Sequence, residues 1–245
     1  MYLIPLASIL SLLTAGVALV CATLILIRQK SYFAKNILPK GFFYSFIMIA
    51  ISLLLCGSPG IITEDLITIQ VLYMFNGLFA QIATTYLVFI ALVIFFPDKE
   101  KIFTIITALP MTVYTFYWII HDIPLIQPAE RIIIGSFVDW KGAQINSVTL
   151  VIGLAMQSLN IFIFAGLFFI KGWFHVDSLV RQRSRFLVTG LLVILLGAAL
   201  AQLFVFVKTA PGNTFLLSGT IAAIAGSIGF ILLLCGVLIT GTKKA

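Results

Sequence analysis

"KGWFHVDSLVRQRSRFLVTGLLVILLGAALAQLF", residues 171–204, sets three arginines within five positions directly against a long run of mostly apolar residues. A bilayer core about 30 Å thick takes roughly 20 helical residues to cross, and the run from Phe186 is long enough. Fixed positive charge at the foot of such a helix reads first as topology, because lysine and arginine are retained on the cytoplasmic side.

The rest of the chain agrees. Of its 245 residues 62% are hydrophobic and 9% charged, and the mean hydropathy is +1.19. Soluble domains are roughly 45–50% apolar and about 25% charged, so this is the composition of a membrane protein. Apolar runs of spanning length fall at about 3–27, 41–57, 66–96, 102–120, 148–170, 186–207 and 214–240. The expected fold is therefore all-α: one polytopic domain over 1–245 with seven transmembrane helices and no separate soluble domain. The runs do not alternate as barrel strands must. The second is short and is expected to borrow residues 58–62. The third is too long to stand upright and should tilt. Residues 3–27 lack a leading Lys or Arg and exceed a signal-peptide core, so the first span is expected to be retained.

Twelve of the 15 basic residues fall on one side of this arrangement. They are Arg28, Lys30, Lys35, Lys40, Lys99, Lys101, Lys171, Arg181, Arg183, Arg185, Lys243 and Lys244; Arg131, Lys141 and Lys208 fall on the other. The N-terminus is then outside and the C-terminus cytoplasmic, in a multi-pass protein of the cell membrane. The net charge of +7 reports topology and contact with anionic headgroups, not nucleic acid.

Reactive groups are scarce. His121 and His175 fall at span ends, so paired haem ligation is not expected. No Asp or Glu lies mid-span, where proton relays and cation-coupled transport place theirs. Span seven contains no lysine, which excludes a retinal Schiff base there. Cys21, Cys56 and Cys235 sit singly, without metal spacing, and read as small packing residues. No phosphate loop, HExxH or nucleophile elbow is present. No catalytic residue, metal or cofactor is expected, and the chain reads as non-enzymatic.

Neutral polar residues remain inside the spans. Asn76, Gln81 and Thr85 lie in span three, Gln157 and Asn160 in span five, Gln202 in span six. Gln81 and Thr85 are spaced i, i+4, and Gln157 and Asn160 i, i+3, so each pair shares a helix face. They read either as interhelical bonds, worth about 0.6–2 kcal/mol each, or as an outward-opening pocket for a small neutral or amphiphilic ligand. Small-xxx-small spacing at Gly219–Ala223, Ala222–Gly226 and Ala225–Gly229, with Gly197 in span six, predicts close helix approach. The one long loop, 121–147, contains "RIIIGSFVDWKG", expected as a short hairpin with a turn at Asp139–Gly142. It reads as a lid, or as a connector with Trp140 anchored among the headgroups; the connector is the expectation carried forward. Arg181 and Arg185 share a helix face while Arg183 lies about 200° from Arg181. Contacts to lipid phosphates, or a docking surface for a cytoplasmic partner, fit that spread better than one salt bridge.

"YLVFIALVIFFPDKEKIFTIITALPMTVYTFYWI", the long loop before span five and "VRQRSRFLVTGLLVILLG" resemble the seven-helix N-terminal sensor region of membrane histidine kinases and related receptors. The resemblance implies a sensor or receptor-like module. Only "GTKKA" follows span seven, where those proteins carry an output domain, so signalling through a separate membrane or cytoplasmic partner is implied. The other readings are an accessory subunit of a larger membrane complex, and a transporter or lipid-handling protein.

Overall fold

The computed structural model describes residues 3–30, 37–141, 147–206 and 211–239. Among these, seven long helices form: α1 (Leu6–Arg28), α2 (Ile37–Gly57), α3 (Leu66–Phe95), α4 (Glu100–His121), α5 (Ser147–Phe168), α6 (Ser178–Phe206) and α7 (Pro211–Leu238). Six stretches are long and apolar enough to cross a membrane among the described residues: five are α1 to α4 and α7, and the sixth is the latter part of α5 with the π turn that follows it. The chain is a helical membrane protein, with one two-stranded hairpin between α4 and α5.

Local chemistry sets the helix ends. α2 gains its length at the opposite end from the one expected, starting at Ile37 and stopping at Gly57. Pro39 is harmless in a first turn, where its missing N–H has no helical partner. Residues 58–62 instead form the turn into α3. Asp65 caps α3, its carboxylate accepting the Thr68 N–H at 2.8 Å and the Thr68 hydroxyl at 2.5 Å. Those bonds hold the Asp65 carboxyl below the usual carboxylate range, the hydroxyl contributing most. α3 runs 30 residues, about 45 Å at 1.5 Å per residue, until Pro97 stops it. α4 continues through Pro110. α5 finishes in a π turn, Phe169–Trp173.

Neighbouring helices pack in a ring, α1 against α2 and α7, α3 against α2 and α5, α6 against α5 and α7, with α4 outside against α3. Among the described residues the main core occupies one half of the bundle. Ala18, Cys21, Ala22 and Ile25 of α1 meet Phe42 and Phe46 of α2, Leu87 and Ala91 of α3, Phe164 and Phe168 of α5, Leu187 of α6, and Phe230 and Leu233 of α7. These residues lie toward the end that carries the basic residues. Cys21 and Cys56 have neighbours rather than reactive partners: the Cys21 thiol approaches the Phe230 carbonyl at 3.8 Å, and Ser11 approaches Cys56.

α6 and α7 approach each other backbone to backbone. A methyl group on Gly190 would stand 2.8 Å from the Gly229 carbonyl oxygen and 2.9 Å from the Leu233 amide. One on Gly197 would stand 2.1 Å from the Ala225 Cβ. Of the three small-residue pairs expected in the seventh helix, Ala225–Gly229 is the one seated on α6. Gly219 faces open space, and Gly226 has only Thr14 at contact distance. Close backbone approach needs both partners small, and only one stripe of α7 meets the glycines of α6.

Candidate functional site

At the end opposite the basic residues, strand β1 (Glu130–Ile134) pairs antiparallel with β2 (Phe137–Lys141), Ile134 opposite Phe137. The turn is Gly135–Ser136, not Asp139–Gly142 as the sequence suggests; Gly142 lies outside the described residues. A two-residue hairpin loop needs positive φ at its first position, and Gly135 supplies φ 60°. Asp139 lies mid-strand instead.

The hairpin is tied into the bundle on three sides. Ile4, ahead of α1, donates to the Ser136 carbonyl at 2.9 Å and accepts from the Val138 N–H at 3.1 Å. Ala129 donates to Leu66 at the start of α3 at 3.0 Å. The Tyr73 hydroxyl donates to the Trp140 carbonyl at 3.1 Å. Trp140 is therefore no headgroup anchor. Its side chain is 3% exposed and packs with Ile69, Ala129 and Val138. An indole this large gains more from a closed apolar seat than from the interface, although its Nε1 finds no acceptor. Gly60, at φ 73°, makes the seat: a Cβ there would stand 2.1 Å from the indole ring. Asp139 is also buried, at 5% exposure, and its Oδ1 accepts the Trp140 N–H at 2.8 Å. Burial pushes its carboxyl up to about 6, the hydrogen bond opposing only in part. β2 is thus buried on both faces, and the hairpin is a cap inserted into the mouth of the bundle. The composition of the loop pointed to a hairpin, but no local signal distinguished an inserted strand from one lying on the membrane.

The intramembrane amides do not converge on one point. Asn76 turns to α2, where the Ser52 hydroxyl contacts its side-chain oxygen at 2.5 Å. Thr85 accepts from the Asn160 amide at 3.0 Å, joining α3 to α5, and its hydroxyl approaches the Met111 sulfur of α4 at 4.0 Å. Gln81, one turn away, is 3% exposed with its Nε2 unpartnered. Gln157 is half-buried on α5. Gln202 belongs to α6, but its side chain lies outside what the structure describes. Beside Thr85, an open apolar groove of about 240 Å³ runs between α3 and α4, lined by Leu78, Ile82, Met111, Thr115 and Phe116 among others. Sequence reading missed one further junction: Asp122, at the end of α4, accepts from Thr149 in the first turn of α5 at 3.1 Å. Both groups are buried, so a carboxylate bridges two helix ends, where the dipole of α5 favours it.

At the basic end each arginine has its own protein partner. Arg181 donates to the His175 carbonyl at 3.2 Å. The Arg183 Nε donates to the Ile239 carbonyl just past α7. The Arg185 guanidinium lies 5.7 Å from the centre of the Trp173 ring. Between them, the Ser184 side chain fills the space that a Cβ on Gly172 of the π turn would take. The arginines thus clamp the ends of α5, α6 and α7 together, a role that a charge count does not reveal. Were lipid phosphate their whole purpose, lysine at all three sites would be nearly silent. The geometry predicts otherwise. Arg183→Ala should lower stability by about 1.5–3 kcal/mol for a charge-assisted bond, and Arg185→Ala by about 0.5–1 kcal/mol. Thermal unfolding of the purified variants in detergent checks both, and equal melting temperatures for the two variants and the parent would remove the clamp.

Among the described residues no three His, Cys, Asp or Glu side chains gather as a metal site would require. No protein-family model matches the chain and no curated protein matches it, so a functional reading rests on this chain's own residues.

Proposed function

We propose that the chain is a seven-span, non-enzymatic, receptor-like sensor of the cell membrane, with its N-terminus outside, its C-terminus cytoplasmic, and its signal passed to a separate protein partner. α6 supplies the seventh span, its apolar stretch following directly on the arginines. The partition of the basic residues supports the orientation. The observation that carries the receptor reading is the cap: one hairpin touches the approach to α1, the α2–α3 turn and α3 itself. An event at the outer face therefore bears on three spans at once. The basic clamp at the other end joins α5, α6 and α7 beside a surface suited to a partner or to anionic lipid.

Orientation is tested by labelling single cysteines, placed at Ser136 or Ser178 in a chain cleared of Cys21, Cys56 and Cys235, in intact cells with an impermeant maleimide. Ser136→Cys should react from outside and Ser178→Cys only after permeabilisation; the reverse pattern overturns the topology. Coupling is tested by photocrosslinking from Phe174 and Val176, both exposed beside the clamp. A stoichiometric crosslinked protein supports the receptor reading, and solute flux by the chain alone in proteoliposomes overturns it. The α3–α4 groove favours a second reading, lipid handling, because an apolar slot open to the bilayer side suits an acyl chain.

A further inference from the structure

We propose that the β1–β2 hairpin is a proton-responsive cap: Asp139 seats β2 in the mouth of the bundle as a neutral carboxylic acid, and its ionisation loosens the hairpin from α1 and α3. The geometry makes the case. Asp139 sits on a strand closed on both faces, at 5% exposure. Among the described residues the only ion pair is Arg131–Glu64, at 3.8 Å, so no described cation compensates the Asp139 carboxylate. The described ionisable groups that face it are the thiol of Cys56 at the end of α2 and the phenol of Tyr73 of α3, and neither is a cation. Of the charged hairpin residues, Arg131 is engaged with Glu64, while Glu130 and Lys141 occupy the paired register beyond it. A carboxylate taken out of water without a compensating positive charge favours its neutral form, and its one hydrogen bond, from the Trp140 N–H, offsets this only in part.

Among the described residues, the ties from the hairpin to the bundle are local. They are two bonds to Ile4, one to Leu66 and the Tyr73 hydroxyl on the Trp140 carbonyl, with the indole set over Gly60. A release at Asp139 therefore frees β2 without opening the main core, which lies at the other end.

The direction follows from linkage. The carboxyl is raised from 3.8 to about 6 when seated. Seating is then strongest below pH 3.8, weakens as pH rises toward 6, and is flat above. Roughly two pH units at tenfold each give about a hundredfold loss in the seating equilibrium. Acid closes the cap and neutral pH loosens it. The inference draws on the receptor reading only for its purpose. In nanodiscs both faces meet the buffer, so a failure here leaves topology and partner untouched.

The test follows Trp140 in the full chain in nanodiscs, with Trp118→Phe and Trp173→Phe leaving it as the sole indole. Iodide quenching is measured from pH 4 to 8. The indole should be protected at pH 4, become accessible between pH 4 and 6, and change no further. Asp139→Asn should stay protected throughout, and His121→Gln should follow the parent curve. Should the single-tryptophan chain fail to fold, hydrogen exchange of residues 137–141 in the unmodified protein, corrected for intrinsic rates, reads the same window. A pH-independent cap, or an Asp139→Asn variant that titrates like the parent, overturns the proposal.

Discussion

Replacing Gly190 with alanine should unfasten α6 from α7. The added methyl would stand 2.8 Å from one backbone atom of α7 and 2.9 Å from another, and backbone cannot rotate aside as a side-chain tip can. Overpacking costs about 1–3 kcal/mol where neighbours can shift, and here the upper end is expected. Among the described residues the pair is the most extensive helix contact, so the loss should appear as a lower melting temperature and reduced recovery from detergent. Gly219→Ala is the matched control, because nothing lies within 4 Å of its added carbon. A Gly190→Ala protein with the parent's melting temperature would contradict the backbone contact described here.

Trp140→Ala should release the cap and leave the bundle standing. Deleting a fully buried indole costs about 3–5 kcal/mol, more than the local hydrogen bonds to Ile4, Leu66 and Tyr73 can hold against. Limited trypsinolysis should then cut at Arg131, while helical circular dichroism stays at the parent level. Gly60 gives a sharper check. Gly60→Ala collides with the indole and also sits at φ 73°, a conformation that costs a non-glycine residue about 1–2 kcal/mol. In a Trp140→Ala background the collision with the indole disappears, and the backbone cost remains with a close approach to the Pro5 Cβ at 3.0 Å, so Gly60→Ala should be less damaging there. Additive effects would show that the two residues do not meet.

The legible part of this protein was whatever one helix or one loop could state alone. Apolar runs of bilayer length name the helices, because a chain in hydrocarbon must close its own backbone bonds and the span is set by membrane thickness. Helix ends were legible where a single residue acts locally, as Pro97 does after α3. Small-residue spacing in α7 was legible as a list of candidates. Which stripe packs, however, depended on where Gly190 and Gly197 of a different helix came to rest.

Only the tertiary structure decided the rest, since those facts lie between segments far apart in the chain. Asn160 and Thr85 are 75 residues apart and bonded; Arg183 and Ile239 are 56 apart. Trp140 and Asp139 carry the same identities on a headgroup surface as in a closed seat, and a loop's composition cannot say which. What separates the two is Gly60, about 80 residues earlier, where the absence of a Cβ leaves the space the indole fills. Hydrophobic length is a property of one segment and can be read from it. A buried polar group needs a partner or a cavity supplied by another, and that complement exists only once the chain has folded.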